Sequence, residues 1–546
     1  MKPVKGANAV NSAKPVDAAQ PQRIGADTGP WPLHAAAAAR ALEAQALQQH
    51  APYALMERAG LAVARLARAL APAARQVEVW CGPGNNGGDG YVAARWLHTS
   101  GTAVLVCECG DPARLPADAA QARRQAVMAA VPMLGPGAAG DVAGNASASA
   151  NAAAPAGITS PDLVIDALLG LGGARAPEGV LAEAIEQIAA RRAAGATVLA
   201  IDLPSGLNPD TGQPLGAHVV QAHDTLSLLS LKPGLFTGRG RDLAGRTWFD
   251  DLGHPCQAAP GDAAAPTAWL VVPAGRTAWP HDSHKGRRGD VWVVGGAPGM
   301  TGAASLAARA ALAAGAGRVY ISVLAAAQAE RGGGGLTIDA DRPELMHRPF
   351  ADAAALLLGA ATAVVGCGGG DAVREHLPRL LAAAPRLVLD ADALNHVAAA
   401  SELMRLLAGR AGRGQATVLT PHPLEAARLL GCDSAAVQAN RVAAATTLAE
   451  RTAAVVLLKG SGTVLGAPGA LPRINPSGNA ALATAGTGDV LAGWLGGLWA
   501  QAPHANPLDV AAAAVWQHGH AADRARPDGG AAPLLALDLI DAMAHA

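Results

Sequence analysis

The segment with the clearest chemistry lies near the end of the chain, where residues 485–489 read AGTGD and an apolar run follows. Glycines at the start of a helix leave backbone N–H groups free to hold an anion, and the helix dipole favours negative charge there. A carboxylate beside that anion can accept the proton of a hydroxyl group that attacks phosphorus. We therefore predict that Gly486 and Gly488 hold a phosphoryl group and that Asp489 is the base. The structural alternative is that Asp489 only caps the helix.

A second glycine-rich turn, GPGNNGGDG at residues 82–90, follows an apolar segment in the first half of the chain. It places Asn85, Asn86 and Asp89 beside a backbone that can approach phosphate closely. It does not match the G-x-G-x-x-G pattern with an acid about twenty residues later, which disfavours ordinary dinucleotide binding. A glycine-rich turn is weak evidence by itself, since many α/β proteins contain one.

Two more acids of the first half end apolar segments: Asp166 follows LVI, and Asp202 follows LAI. Because the carboxyl ends of parallel strands meet at one edge of a sheet, we expect these acids to lie near each other. Together with Asn86 and Ser205 they form a set of oxygen ligands, which suits a hard cation. The alternative for each aspartate is an ordinary role in a turn or a helix cap.

Three segments of the second half also place polar residues at the ends of apolar runs. They are LVLDADAL (387–394) with Asp390 and Asp392, VLTPHPLEAARLL (418–430) with His422 and Glu425, and VVLLKGSGTVL (455–465) with Lys459. A lysine at such a position can meet the phosphates of a nucleotide. A single histidine or lysine in such a turn is more commonly solvated, so only their combination is informative.

Short apolar segments alternate with Ala-rich stretches along most of the chain, which is typical of βαβ units and predicts an α/β fold with largely parallel sheets. We predict strands at 77–81, 163–166, 197–202, 291–295, 319–323, 363–366, 387–390, 417–420 and 454–459, and helices that include 303–314 and 425–430. Such sheets bind ligands at the carboxyl ends of their strands, which is where the polar residues described above fall.

Stretches of low complexity divide the chain into two domains. Residues 1–30 lack the apolar core of a secretory signal, and we expect a flexible tail. We interpret residues 134–161 as a mobile insert and residues 256–267, rich in Pro, Gly and Ala, as a linker. The predicted domains are therefore 31–255 and 268–546.

The composition excludes several classes of protein. The 546 residues carry a net charge of −1, which gives no general attraction to nucleic acid or to a membrane surface. Hydrophobic residues make up 51% of the chain, so it forms a core and is not disordered. The six cysteines form no CxxC pair, which favours buried thiols in a reducing compartment. We expect a cytoplasmic homo-oligomer that binds small molecules, and neither nucleic acid nor membrane.

The first half resembles the NAD(P)H-hydrate epimerase family. The resemblance rests on LMERAG (55–60), GPGNNGGDGYVAARWL (82–97), IDALLGLGGAR (165–175), IDLPSGLNPDTG (201–212) and SLLSLKPGLFTGRGRDLAG (227–245), which stand in the order of that family. It implies a Rossmann-like three-layer domain in which K⁺ is held by Asn86, Asp166 and Ser205. It implies that Asp202 acts as the acid or base and that the substrate is lined by Asn85, Asn86, Gly87, Gly88, Asp89, Gly170, Leu171, Gly172, Gly173, Ala174, Arg175 and Ala176.

The second half, over about 280–540, is similar to the ADP/ATP-dependent NAD(P)H-hydrate dehydratase family. The similarity rests on SHKG (283–286), the segments around Asp390, His422 and Lys459, and GTGD (486–489), and it implies a ribokinase-like α/β domain. It implies an adenine nucleotide held by Lys459, Gly460, Ser461, Gly462, Thr463, Gly486 and Gly488, and a hydrate contacted by Ala304, Gly368, His422 and Asp489. The sequence leaves open whether Ala303 or Ala304 is the matching alanine.

Two residues depart from that family's pattern. Ala485 stands where a glycine is common, and a positive φ there would strain alanine by about 1 kcal/mol. Leu424 stands where the family commonly has TPHPGE, beside His422. We expect activity to survive the change at Ala485, because Gly486, Gly488 and Asp489 remain. The change at Leu424 is expected to bear on the substrate contacts beside His422.

The two resemblances together imply repair of hydrated nicotinamide cofactors. The first domain would interconvert the R and S forms of NADHX or NADPHX, and the second would dehydrate the S form. ADP or ATP, with Mg²⁺, would phosphorylate the C6 hydroxyl and so turn it into a good leaving group. Two alternatives stay open: the second half is a vitamin or sugar kinase of the ribokinase-like superfamily, or the first half is a nucleotide-binding module without catalysis.

Overall fold

The computed structural model of the protein describes residues 20–135, 161–173, 175–256, 258–275, 278–324, 339 and 341–545. The first nineteen residues of the predicted tail, residues 136–160 of the predicted insert, Gln257 of the predicted linker and the predicted substrate residue Ala174 lie outside the described residues. The described residues form two large β-sheets that are covered by helices.

The first sheet has eight strands, and strands are numbered here along the whole chain. They are β1 Gln22–Arg23, β3 Gln76–Cys81, β4 Ala103–Glu108, β5 Met133–Leu134, β6 Leu163–Ala167, β7 Thr197–Ile201, β8 Asp224–Leu228 and β9 Arg246–Asp250. Their order across the sheet is β1-β9-β8-β7-β6-β3-β4-β5, and all neighbours are parallel except β1 and β9. From β5 to β8 this is the 3-2-1-4-5-6 order of Rossmann folds, so the Rossmann-like prediction is confirmed.

Helices cover both faces of the first sheet. They are α1 Ala36–Gln49, α2 Ala54–Leu70, α3 Asn85–Thr99, α4 Ala117–Met128, α5 Val180–Ala193 and α6 Gly240–Ala244. Successive residues of a strand point to opposite faces. Accordingly Ile165 of β6 packs in the core with α2, α3 and α4, whereas Val164 packs on the other side with α5. This gives the predicted three layers.

The second sheet has eleven strands. They are β2 Pro32–Leu33, β10 Ala268–Leu270, β11 Asp290–Gly295, β12 Arg318–Val323, β13 Met346–His347, β14 Thr362–Val365, β15 Arg386–Leu389, β16 Ala416–Leu419, β17 Val455–Leu458, β18 Val464–Gly466 and β19 Arg473–Ile474. Their order is β13-β12-β11-β14-β15-β16-β17-β18-β19-β10-β2. The strands from β13 to β17 are parallel to one another, and β18 is antiparallel to both of its neighbours.

The helices of the second half are rich in small residues, and this lets them pack closely. They are α7 Thr301–Ala313, α8 Phe350–Leu357, α9 Leu377–Ala383, α10 Ala391–Ala399, α11 Ser401–Ala408, α12 Pro423–Leu430, α13 Ser434–Ala439, α14 Arg441–Thr452, α15 Thr487–Gln501, α16 Pro507–Ala525 and α17 Ala536–Ala544. A Cβ atom at Gly493 of α15 would lie 1.9 Å from the carbonyl oxygen of Ala307 in α7. Only glycine allows these two helices to approach so closely, and their contact carries much of the core under the second sheet.

The start of the described chain contributes to both sheets. Strand β1 extends the first sheet, and β2 extends the second by pairing antiparallel with β10, so that Leu33 lies opposite Ala268. The predicted tail and linker therefore differ from the structure where they are described: residues 22–23 form a strand, and Thr267 accepts a hydrogen bond from the backbone N–H of Ala35 at 2.8 Å. These short segments adopt regular structure because they form hydrogen bonds with backbone groups at the edges of the sheets.

The α/β prediction is confirmed, and each of the nine predicted strands is present with both ends within one residue of the prediction. Those strands are buried on both faces and read as continuous apolar runs, which is the pattern of parallel sheets. In the described part of the chain, none of the helices has the length and apolar character needed to cross a membrane.

Candidate active sites

A cavity of about 500 Å³ lies at the carboxyl ends of β6 and β7 in the first sheet. Many of the predicted substrate residues line it: Asn85, Asn86, Asp89, Gly170, Leu171, Gly172, Gly173 and Asp202. The predicted residues Gly87, Gly88, Arg175 and Ala176 do not line it. Gly87 and Gly88 are buried, and a Cβ at Gly87 would lie 2.1 Å from the carbonyl oxygen of Gly82. These two glycines therefore serve close packing of the turn.

Asp202 forms a buried ion pair in this cavity with Lys232, which has no exposed surface. The Lys232 ammonium donates to Oδ1 of Asp202, to the hydroxyl of Ser227 at 3.2 Å and to the carbonyl of Leu228 at 3.1 Å. Asp202 adopts a left-handed backbone conformation with φ 65°, a strained arrangement that is concentrated at functional sites. The sequence analysis did not single out Lys232; its signal was a lysine inside an otherwise apolar segment before Pro-Gly.

Asp166 and Ser205 meet below the cavity. The Ser205 hydroxyl donates to Oδ1 of Asp166 at 2.6 Å, and the Ser205 backbone N–H donates to Oδ2 at 2.8 Å. Burial raises the pKa of Asp166 to about 6, although these hydrogen bonds act in the opposite direction. Asn86 lies on the cavity wall beside Gly170, and its buried side-chain nitrogen has no hydrogen-bond partner in the described residues.

Asp89 is the other acid with a strongly altered proton affinity. Burial, together with the charges of Asp202 and Glu43, raises its pKa well above the ordinary range. Glu43 lines the same cavity, and burial raises its pKa as well. The cavity therefore combines acids that hold protons tightly with a carboxylate that is paired to an ammonium group.

A second cavity, of about 710 Å³, contains most of the predicted nucleotide residues. Lys459, Gly460, Ser461, Thr463 and Gly488 line it, whereas Gly462 and Gly486 do not. Its wall also contains residues of the first half, among them Leu235, Phe236 and Arg241, which the sequence analysis did not anticipate.

Lys459 connects this cavity to a group of acids. Its ammonium donates to Oδ1 of Asp390 at 2.6 Å, and a Cβ at Gly488 would lie 3.4 Å from its Nζ. Burial alone would lower the pKa of Lys459, but Asp390 and Glu425 together raise it. Lys459 is therefore a fixed positive charge beside the start of α15.

Asp489 lies in the first turn of α15, three residues after the N-cap Gly486. Burial and the nearby charge of Asp390 raise the pKa of Asp489 to about 7. The Sγ of Cys367 and carboxylate oxygens of Asp390 and Asp489 all lie within 4.8 Å of one another. The sequence analysis interpreted Cys367 as a structural cysteine, and nothing in its local sequence indicated its place beside Asp489.

Gly486 has φ 89° and is the residue that makes the turn into α15. Ala485, in contrast, is not among the described residues with positive φ. The strain considered for alanine at this position therefore does not arise.

His422 caps helix α12. Its Nδ1 accepts the backbone N–H groups of Leu424 and Glu425 at 3.1 and 3.3 Å, and its Nε2 lies 3.2 Å from Oε1 of Glu425. The His422 side chain is 46% exposed, so the ring remains open to a ligand while its orientation is fixed. Leu424 is also exposed, beside this ring.

The structure distinguishes Ala303 from Ala304, a choice that the sequence left open. Ala304 has no exposed surface, whereas Ala303 is partly exposed. A Cβ at Gly368 would lie 2.9 Å from that of Ala303. Ala303 rather than Ala304 therefore adjoins Gly368 on the open side of α7.

Two α/β sheets in one chain, with two separate polar cavities, define a two-site α/β enzyme. The family model described as "YjeF-related protein N-terminus" matches residues 52–234, and the one described as "NAD(P)H-hydrate dehydratase" matches residues 291–545. The chain is 36% identical over 502 residues to a bifunctional NAD(P)H-hydrate repair enzyme of Escherichia coli (strain K12), covering 90% of this chain and 88% of that protein. The chain belongs to the family of bifunctional NAD(P)H-hydrate repair enzymes.

A second curated relative gives the same result. A bifunctional NAD(P)H-hydrate repair enzyme of Coxiella burnetii is 36% identical over 498 residues, covering 89% of this chain and 93% of that protein. Among solved structures, an ADP/ATP-dependent NAD(P)H-hydrate dehydratase from Bacillus subtilis, co-crystallised with ATP/Mg²⁺, is 28% identical with a TM-score of 0.41. That match covers 50% of this chain and 93% of the other.

Proposed function

We propose that this chain repairs hydrated NADH and NADPH with two activities: epimerisation of NADHX or NADPHX in the cavity of the first sheet, and dehydration of the S epimer beside α15. The observation that carries the proposal is that Asp202 and Asp489 lie in two separate polar sites of one chain whose family carries both activities. Each acid has a different charged neighbourhood, which suits two different proton transfers.

In the first site, Asp202 and Lys232 move protons at the C6 oxygen of the substrate. The buried ammonium of Lys232 holds the Asp202 carboxylate in one orientation and balances its charge. Asp89 holds its proton tightly, so it can donate a hydrogen bond to the departing or returning oxygen. Reversible loss and return of that oxygen interconverts the R and S forms.

In the second site, Asp489 accepts the proton of the C6 hydroxyl as that hydroxyl attacks the terminal phosphorus of ADP or ATP. A pKa of about 7 is suited to a base that works near neutral pH. The free N–H groups at the start of α15 hold the migrating phosphoryl group, and Lys459 adds a positive charge beside them. AMP or ADP leaves as the phosphoryl group is transferred. The C6–O bond then breaks and releases phosphate, C5 loses a proton to water, and the C5=C6 double bond of the ring is restored.

Asn86, Asp166 and Ser205 fit the proposed K⁺ site. All three side chains offer oxygen ligands, and Asp166 is fully buried. The side-chain nitrogen of Asn86 has no hydrogen-bond partner in the described residues, so the amide can turn by half a rotation and present its oxygen instead. K⁺ at this position would balance the charge of Asp166, so these three residues would hold it. The buried carboxylate without an ammonium or guanidinium partner in the described residues supports the assignment.

The cluster of Cys367, Asp390 and Asp489 does not fit a resident Mg²⁺. Thiols suit softer metals, and Asp390 is already paired with Lys459. We propose instead that Mg²⁺ enters with the phosphates of the nucleotide, which is its common mode of binding in phosphoryl-transfer sites.

One assay tests the whole proposal. A mixture of R- and S-NADHX is incubated with the protein and ADP or ATP, with and without K⁺, and the absorbance of reduced nicotinamide is followed. Complete conversion is expected, because epimerisation feeds the R form into dehydration. Conversion that stops when the S form is exhausted would remove the epimerase assignment. A stable phosphorylated product without reduced nicotinamide would indicate the sugar or vitamin kinase alternative.

We also propose that the protein works in the cytoplasm and as a homo-oligomer. Its charge balance and free cysteines support the first point. Light scattering during size-exclusion chromatography tests the second, and a monomer at micromolar concentration would contradict it.

A further inference from the structure

The nucleotide cavity of the second half is walled in part by the first half. Lys459, Ser461 and Gly488 line one part of it, while Phe236 and Arg241 line another. The residues of this wall, 235–241, lie between the two stretches matched by the family models, 52–234 and 291–545. Neither model therefore covers them.

Hydrogen bonds join this wall directly to the predicted nucleotide loop, residues 459–463. The hydroxyl of Thr237 donates to the carbonyl of Gly462 at 3.1 Å, and the backbone N–H of Gly238 donates to the carbonyl of Ser461 at 3.1 Å. Arg441 adds a bond from its Nε to the Thr237 hydroxyl oxygen at 3.2 Å. Thr237 has no exposed surface, so these bonds are shielded from water.

Gly462 shows how tight the contact is. It has φ 60°, and a Cβ atom there would lie 1.9 Å from the carbonyl oxygen of Phe236. The nucleotide loop, residues 459–463, is therefore in direct contact with the first half. This contact limits the conformations that the loop backbone can adopt.

Arg241 also holds a second part of the cavity wall, residues 476–478. Its Nη2 donates to the carbonyls of Pro476 and Gly478 at 3.0 and 2.7 Å, and both of these residues line the cavity. Hydrogen bonds from a guanidinium group are about twice as strong as neutral ones. Arg241 thus holds residues 476–478 at a set distance from the first half.

Phe236 lines the same cavity with the small part of its side chain that core packing leaves exposed, 6% of the residue. The chain contains only three phenylalanines, and this one lines the cavity together with Leu235, Leu491 and Val515. A cavity with cationic and N–H groups beside an aromatic surface matches a nucleotide, whose phosphates are charged and whose base is flat and apolar.

We propose that Phe236 and Arg241 of the first half determine how tightly the second half binds its adenine nucleotide: Phe236 packs against the nucleoside, and Arg241 positions the wall formed by residues 476–478. The proposal rests on the proposed function, because it requires an adenine nucleotide in this cavity. Its consequence is that nucleotide affinity in this chain depends on residues outside the dehydratase match.

The test uses the full chain with Phe236→Leu and with Arg241→Gln. Calorimetry gives the Kd of ADP, and dehydration assays on S-NADHX give KM for ADP and kcat. We expect Kd and KM to rise about tenfold for Arg241→Gln and about threefold for Phe236→Leu. The kcat at saturating ADP stays within about twofold of the wild type, since the reacting groups are untouched. Arg241→Lys, which keeps the charge, recovers part of the affinity.

Arg386→Gln is the matched control. Arg386 also donates a hydrogen bond from Nη2 to a backbone carbonyl, that of Ala360, but it lines neither cavity. This variant is expected to bind ADP as the wild type does. If Arg241→Gln fails to fold, Phe236→Leu and Arg241→Lys decide the question alone.

Two failures are distinguishable. A wild-type protein that binds neither ADP nor ATP overturns the proposed function of the second half. A wild type that binds ADP, with Phe236→Leu and Arg241→Gln or Arg241→Lys binding it equally well, overturns this inference only. A fall in kcat at unchanged KM also overturns it, because that result places the residues in the chemical step.

Discussion

Both sites contain a lysine–aspartate pair, but they use it differently. In the first site Lys232 pairs with Asp202, the acid proposed to react. In the second site Lys459 pairs with Asp390, and Asp489, the acid proposed to react there, lies beside that pair. In the first site an ammonium group contacts the Asp202 carboxylate directly. In the second site Asp489 lies near the negative charge of the Asp390 carboxylate, which raises the pKa of Asp489.

The difference shows how neighbours tune one residue type for two tasks. The Lys232 ammonium group contacts the Asp202 carboxylate directly and holds it in one orientation. An aspartate that is buried near another carboxylate gains proton affinity, and the pKa of Asp489 rises to about 7. Such an acid can take a proton from a hydroxyl and release it again at neutral pH.

The largest expected effect comes from Asp489→Asn. This substitution keeps the shape of the side chain and removes the base, so dehydration of S-NADHX should fall about 100- to 10,000-fold. Epimerisation should be unchanged, because Asp202 lies in a separate cavity. Dehydration is followed by nicotinamide absorbance and epimerisation by chromatography of the two epimers. Loss of both activities in a folded variant would contradict two independent sites.

The second prediction concerns Lys232→Met. The substitution leaves the Asp202 carboxylate buried without its partner, so the free energy of unfolding should fall by about 3–5 kcal/mol. Epimerisation should fall about 100-fold, while dehydration of pure S-NADHX changes little. Denaturant titration and both assays measure this. Lys285→Met, at an exposed lysine, is the control, and equal loss in the two variants would refute the role of the buried pair.

The third prediction is the pH dependence of dehydration. Only the charged form of Asp489 can accept a proton, so kcat/KM for the hydrate should rise with pH and reach half its maximum at about pH 7. Below that midpoint it should fall about tenfold per pH unit. A rate profile measured between about pH 5 and 8 tests this, and a flat profile would exclude Asp489 as the base.

The smallest effect is expected for Cys367→Ala. The Cys367 thiol donates to Oδ2 of Asp390 at 3.9 Å and lies within 4.8 Å of an Asp489 carboxylate oxygen. It lowers the pKa of Asp489, so its loss should shift the midpoint of the dehydration profile to higher pH. Above the midpoint the rate should stay within about threefold of the wild type, since the thiol takes no part in the reaction. Cys432→Ala is the matched control at an exposed cysteine. If the midpoint does not move, the Cys367 thiol does not affect the pKa of Asp489.

The sequence predicted the sheets better than it predicted the sites. Strands such as β6 and β17 are buried on both faces, so their apolar runs are visible without any knowledge of their neighbours. Strand β2 has only two residues and no periodicity, and its partner is distant in the chain. It could not be found from local patterns.

The same distinction applies to functional residues. Asp202 and Asp489 stand at strand ends or helix starts, where an acid has a recognisable position. Lys232 and Cys367 were missed because a single lysine is usually solvated and a cysteine in an apolar segment is usually structural. The roles proposed for them rest on their proximity to Asp202 and Asp489, residues distant in sequence, and such proximity has no local signature.

The pairing of β2 with β10 also sets an order of events during synthesis. Ala268 follows its partner Leu33 by 235 residues. At roughly 5–20 residues per second, Leu33 is added to the chain about 12 to 47 seconds before Ala268. Strand β2 therefore stays without its partner while all strands of the first sheet are synthesised, and it can pair with β10 only afterwards. Separate expression of the two halves would leave that edge without its last strand.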